Sequence, residues 1–140
     1  MALKDSAAQL GKFWMFSGCS KRELDVIARA AKEVTHKAGT VIAREGERGV
    51  GFFFITEGEA KVTIGGKTKT KLGPGDFFGE IALIDRGPRT ATVTALTPIK
   101  MLGLTEWVFR GLLLEHPSIA LKTLESVAGR LRKASKEAPV

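Results

Sequence analysis

From Val34 to Leu104 the chain is cut into short pieces by glycine, at positions 39, 46, 49, 51, 58, 65, 66, 73, 75, 79 and 87. The pieces between them, TVIA, GFFFITE, EAKVTI, KTKTKL, TATVTAL and PIKMLGL, are rich in β-branched and aromatic residues. Strand-length runs separated by turn signals every roughly eight to twelve residues predict a sandwich or barrel of antiparallel strands. In TATVTAL, Ala91, Val93 and Ala95 then face one way and Thr90, Thr92 and Thr94 the other. Lys67, Lys69 and Lys71 alternate with Thr68 and Thr70, which predicts one strand face carrying all three cations. The glycine spacing is that of turns and not of a structural repeat.

Helical patterning flanks this block. A short helix is expected around Ser6 to Lys12. Ser20 followed by Glu23 is a capping-box pattern, with Cys19 and Leu24 placed as a hydrophobic staple, so a second helix should run from Lys21 to about Lys32. Leu24, Ile27, Ala28 and Ala31 share its apolar face. Cys19 therefore reads as a packed small hydrophobe rather than a nucleophile. After the block, Thr105 can cap a helix through Trp107 and Leu113. His116-Pro117 marks a break and restart, and a long helix continues to about Lys136. On it Leu121, Leu124, Ala128 and Leu131 form a seam shorter than two heptads, expected to pack on its own domain, with a homodimer as the other use. Trp107 and the run Phe52 to Phe54 are expected in the core, and His36 and His116 at the surface or at a cap rather than on a metal.

The chain has 140 residues, enough for one domain with a buried core. No run approaches the roughly 18 apolar residues of a membrane-spanning helix, and the N-terminus lacks a secretory pattern. One cysteine permits no internal disulfide and no cysteine-rich metal site. The cytoplasm is the expected setting. A net charge of +7 invites nucleic acid or anionic lipid, but much of it reads as a solvated strand face and the cationic end of a helix, where Arg130, Arg132, Lys133 and Lys136 gather.

The chemistry concentrates in FFGEIALIDRGPRTATV, residues 77 to 93. This apolar run holds an acid, Glu80, and a base, Arg89, and charges in such surroundings need partners. Gly73-Pro74-Gly75-Asp76 is a turn, and Gly79 permits a conformation that a Cβ would resist. GEIALI is long enough for one helical turn opening at Glu80, whose free amides can receive an anion. Gly87-Pro88 then reverses the chain, and Arg89 enters the following strand pointing back. Amide donors, a guanidinium and a carboxylate together suit a phosphate beside sugar hydroxyls. Glu80 would repel the phosphate, so it belongs on a ribose 2′-hydroxyl. One arginine suits a single negative charge, as in a cyclic phosphodiester, and the GxxxxGK[ST] pattern of triphosphate sites is absent. The competing reading pairs Glu80 with Arg89 in a degenerate site.

FGEIALIDRGPRTATV resembles the phosphate-binding cassette of cyclic-nucleotide-binding domains, found in bacterial catabolite activators, cyclic-nucleotide-gated channels and kinase regulatory subunits. IAREGERGVGFFFITEGEAKV is similar to the family's second signature, and LGPGDFFGE joins the two, so the likeness covers about residues 10 to 135. It implies a mainly β fold: an eight-stranded antiparallel β jelly roll with N-terminal helices (1–33), a roll (34–104) holding the cassette (78–91), and C-terminal helices (105–137) that include a lid, all in one domain, 1–140. It implies that Arg89 grips the cyclic phosphate and Glu80 the ribose. Gly79, Ile81, Ala82 and Ala91 supply backbone contacts, and Val62 and Leu72 line the sugar and base pocket. Thr90, directly after the arginine, can bond the phosphate and admits cGMP without demanding it; cAMP is favoured. Val127, Leu131 and Ser135 are candidate base contacts on the lid, and Arg130 a candidate polar latch. The expected role is a signalling or regulatory domain without catalysis, cofactor or metal, since no nucleophile, base and orienter assemble. Because the chain stops at Val140, sequence-specific DNA binding is not expected. The effector is unspecified, and a free-standing sensor and a domain of a larger protein both fit. The alternative is a ligand-free interaction module that docks through its basic C-terminal helix.

Overall fold

The structure is a computed structural model that describes residues 3–48, 51–85 and 87–135, the side chains of 3–5, 81, 82 and 85 excepted. Gly49 and the expected helix end at Lys136 lie outside them. The order of elements is α1 (Leu3–Leu10), a single 3-10 turn (Trp14–Phe16), α2 (Lys21–Ala30), β1 (Lys32–His36), β2 (Val41–Ala43), β3 (Gly51–Glu57), β4 (Ala60–Ile64), β5 (Lys67–Leu72), β6 (Phe77–Phe78), α3 (Glu80–Asp85), β7 (Thr92–Ala95), β8 (Ile99–Thr105), α4 (Glu106–Glu115) and α5 (Pro117–Ala134). The chain forms two compact units, one spanning Ala31–Phe109 and the other joining the N-terminal helices to the segment from Arg110 onward.

In the first unit eight strands form two four-stranded antiparallel sheets, ordered β1-β8-β3-β6 and β2-β7-β4-β5. This is the expected jelly roll. Alternation places Ala43, Ile55, Ala60, Phe78, Val93, Ala95, Ile99 and Met101 in one buried cluster. Each large member contributes about 1.5–3 kcal/mol by leaving water. Phe52 and Phe54 are buried and Phe53 is half-buried, as expected. Two strands escaped the sequence reading. β1 begins at Lys32, where a helix was expected to continue, because Lys32 pairs with Gly103 of β8. β6 is only two residues long, set by the turn before it: Asp76 accepts the Gly73 N–H, Gly75 N–H donates to Ile55 O, and Ile55 N–H donates to Asp76 O.

Other expectations need correction. In β5 a register shift leaves Lys69 without a partner on β4, so the alternation that would align Lys67, Lys69 and Lys71 on one face is broken. β5 is a sheet edge whose first five residues are all exposed, and lysines there discourage pairing with another chain. Trp107 is not core; it is 76 % exposed on α4, because Phe109 and Leu112 take that helix's buried side. The first helix sits three residues earlier at its start than Ser6 and ends at Leu10 rather than Lys12.

In the helical unit the capping box forms in both directions. Glu23 N–H donates to Ser20 Oγ at 3.2 Å, and Ser20 N–H donates to Glu23 Oε1 at 2.7 Å. Glu23 also accepts from Ser118 Oγ and from Lys122 Nζ, which fastens α2 to α5. Those bonds from Lys122 and Ser118 hold the Glu23 carboxyl down at about 2. Pro117 stands at the start of α5, and Thr105 Oγ1 accepts the Val108 N–H at the start of α4, both as the sequence indicates. The seam Leu121, Leu124, Ala128 and Leu131 does not pack on its own domain. All four are exposed, because Ile119 and Thr123 occupy the buried side of α5. Cys19 is half-buried, and burial pushes its thiol up, with the Glu23 carboxylate adding to it, which disfavours the thiolate.

Candidate functional site

The cassette is built on a stack of phenylalanines. Phe77 and Phe78 of β6 pair with Phe54 and Phe53 of β3, and Phe77 stacks on Phe52 at 5.5 Å. α3 follows at once and packs on β3, with Leu83 buried. The link between β6 and α3 is Gly79, at φ +86°. A Cβ there would come within 2.5 Å of Gly51 O and closer still to Arg89 Nη1, so conformation and space both demand glycine. Gly79 thus lets the backbone pass directly over the arginine head group.

Arg89 does not belong to the following strand, which starts at Thr92. Its main chain is bound instead to the segment before β3. Arg89 N–H donates to Glu47 O and Gly46 N–H donates to Arg89 O, both at 2.8 Å, and Arg48 pairs with Pro88 beside them. Glu45 N–H donates to Thr92 Oγ1, and the Glu45 carboxylate accepts the Gly65 N–H. Residues 44–48 therefore form a strap that fixes where the arginine side chain starts. The signature IAREGERGVGFFFITEGEAKV covers this segment, with Gly46-Glu47 expected in a turn before a strand, but its bonds to Arg89 were not legible because they join main-chain atoms.

The Arg89 side chain is 8 % exposed. Nη2 donates to Gly51 O, while Nε and Nη1 are buried and have no hydrogen-bond partner. Burial pushes the guanidinium below its usual value, and the nearby Glu80 carboxylate pulls it back; it remains a cation at neutral pH. Since Nε and Nη1 are unbonded, Glu80 does not close a bidentate pair with Arg89. A buried cation with two unused donors is costly, and that cost is recovered only when an acceptor arrives.

Around it lies a cleft of about 470 Å³, within the range of small-molecule sites. Of the expected residues, Gly79, Glu80, Arg89, Thr90, Ala91, Val62 and Leu72 line it together. Ile81 and Ala82 belong to the first turn of α3, their side chains outside the described residues. Ala43, Phe77, Phe78, Gly87, Pro88 and Val93 complete the lining and were not among the expected contact residues, although all but Ala43 lie in the 77–93 stretch. For Ala43 the available signal was strand alternation in TVIA. The lining is mainly apolar, with Glu80, Arg89 and Thr90 as its polar side chains.

The expected lid residues all lie on α5 or at its end. Val127 and Ser135 are half-buried, and Arg130 and Leu131 are exposed. The Arg130 guanidinium sits 4.6 Å from the centre of the Trp14 ring. No helix among the described residues is long and apolar enough to cross a membrane.

The family model of the cyclic nucleotide-binding domain matches residues 33–116. A cyclic nucleotide-gated potassium channel of Mesorhizobium japonicum is 45 % identical over 94 residues, covering 67 % of this chain and 26 % of the channel. The chain spans between 26 and 30 % of the length of that channel and of two similar potassium channels. The crystal structure of the N-terminal domain of a Streptomyces coelicolor transcriptional regulator superposes with a TM-score of 0.85 at 31 % identity, covering 94 % of this chain and 96 % of that one. The regulatory domain of Toxoplasma gondii PKA, crystallised with cAMP, gives 0.71 at 28 % identity, covering 79 % of this chain and 44 % of that one.

Proposed function

The chain belongs to the family of cyclic nucleotide-binding domains, and from that premise we propose that it is a non-catalytic sensor that binds cAMP in preference to cGMP and passes occupancy on by moving α5. The observation that carries the reading is Arg89, buried at the cleft with Nε and Nη1 unbonded. A cyclic phosphate brings one negative charge and exocyclic oxygens that can accept from these idle donors. Glu80 takes the ribose 2′-hydroxyl, and the amides of Gly79, Ile81, Ala82 and Ala91 complete the cradle. Val62 and Leu72 lie along sugar and base. Thr90, exposed at the rim of the cleft, offers a hydroxyl to the phosphate or to a guanine amino group.

α5 answers the ligand with Val127, Leu131 and Ser135 over the base and Arg130 as a polar latch. The contact of Arg130 with Trp14, which a latch would exchange, is worth about 0.5–1 kcal/mol at an exposed site. The ligand can move the helix only by its differential affinity for the two positions, and this cost is small beside a micromolar binding energy of about 8 kcal/mol. What α5 acts on, as a free-standing module or within a longer protein, is the effector side of the same switch.

A thermal-shift and calorimetric titration with cAMP and cGMP tests the reading. At about 100 times Kd, ligand adds roughly 2.7 kcal/mol to stability. If neither nucleotide at millimolar concentration moves the melting temperature, the sensor reading is wrong and the interaction-module alternative takes its place.

A further inference from the structure

The hairpin of β4 and β5 brings Val62 to the cleft wall from its middle and Leu72 from its base. β7 pairs with β4 only as far as Thr63, and β5 is a sheet edge, so among the described residues Ile64 and Lys67 pair with each other alone. A two-stranded hairpin is marginal by itself. A register shift between Val62 and Thr63 also breaks the ladder right beside the residue that lines the cleft. The tip turns at Gly65 and Gly66, both at positive φ, which suits a tight turn but offers no side chain to pack.

Glu45 ties that tip down from outside. Its carboxylate accepts the Gly65 N–H at 2.9 Å, and its own N–H donates to Thr92 Oγ1 at 3.0 Å. Thr92 stands opposite Thr63, at the last rung that β7 shares with β4. The next residue, Gly46, donates to Arg89 O. Glu45 thus sits where the apolar wall of the cleft and the support of its arginine meet, although it is exposed and lines no part of the cleft itself. On the sensor reading above, we infer that Glu45 is a positioning residue for the nucleotide: its carboxylate pins the β4–β5 hairpin so that Val62 is set against Arg89 before the ligand arrives. Without the tie, the hairpin has to be ordered on binding, which lowers affinity. The sign is diagnostic, because removing an acid beside an anion site would by charge alone favour binding.

Calorimetric titration of the whole chain with cAMP and with cGMP tests this. Glu45→Ala should weaken binding about fivefold, the scale of one hydrogen bond, while Glu45→Gln, whose amide oxygen still accepts the Gly65 N–H, should stay within about twofold of the unaltered chain. In a Val62→Ala background the loss from Glu45→Ala should shrink to less than about twofold, because the side chain that the tie positions has been shortened. Unchanged affinity in Glu45→Ala overturns the inference and leaves the sensor reading intact. Equal losses in the Ala and Gln variants overturn it too, since the bond to Gly65 would not be the cause. A loss that persists in full with Val62→Ala routes the effect through the arginine and not the hairpin, which also overturns it. Absence of binding by the unaltered chain overturns the sensor reading and this inference together.

Discussion

Glu23 and Arg89 are charged residues in opposite situations. Glu23, in the helical unit, accepts bonds from Ser20, Ser118 and Lys122. Arg89, in the roll, is more deeply buried, yet its side chain has one bond, to Gly51 O, and two idle donors. The first arrangement is complete and serves the fold. The second is incomplete and is stable only because Gly79, Gly51 and the 44–48 strap hold it in place. Variants of the cassette should therefore change binding more than melting temperature, and variants of the Glu23 cluster the reverse.

Gly79→Ala is the severest test and the one expected to blur the contrast, since its Cβ collides with both Arg89 and the Gly51 carbonyl. Left-handed strain alone costs about 1–3 kcal/mol, so melting temperature falls and nucleotide binding is lost together. Arg89→Leu restores the contrast. Binding weakens by about 2–5 kcal/mol in calorimetry, while the free protein stays folded and loses about 1 kcal/mol from the orphaned Gly51 carbonyl. Unchanged affinity would remove Arg89 from the site. Thr90→Val should cost about 1 kcal/mol of cGMP binding and less of cAMP binding, with no change in melting. Equal losses for the two nucleotides would mean that Thr90 touches only the phosphate.

Glu23→Gln gives the smallest effect and the opposite pattern: about 1 kcal/mol or less of stability, the scale of an exposed ion pair, with nucleotide affinity intact. Its pH dependence has a definite sign. The folded carboxyl lies at about 2, below its ordinary 4.5, so its contribution is full above pH 4.5 and disappears as pH falls through about 2. Denaturant melts of the two proteins should differ at neutral pH and converge in strong acid. A constant difference across that window would rule out the ionised carboxylate as the source.

The sequence was most legible where the signal is local. The capping box at Ser20 and Glu23, the restart at Pro117, the single helical turn at Glu80 and the need for glycine at 79 are each decided within a few residues. Local chemistry picked out Gly79, Glu80 and Arg89, and family likeness then supplied the jelly roll and Thr90, Ala91, Val62 and Leu72, the rest of the expected residues that line the cleft. What stayed hidden was decided at long range. KEVTH became a strand because β8 lies beside it, and Lys69 became a bulge because β4 shifts register. The strap over Arg89 is held by main-chain atoms, which side-chain patterns do not report. Periodicity revealed the seam on α5 but not whether it faces core or solvent, and the structure exposes it.

The strap has one more consequence. Because Gly46 N–H and Glu47 O grip Arg89 through the backbone, the segment 44–48 transmits length to the arginine, and composition only at Gly46, whose φ of +83° favours glycine. Exchanging the Glu47 side chain should leave the arginine where it is. Removing a single residue would shift both bonds by one position and swing the guanidinium out of the cleft with every site residue still present. A survey of chains that look intact by their motifs could therefore be sorted by counting residues between β2 and β3, a ruler for which of them still hold the arginine in place.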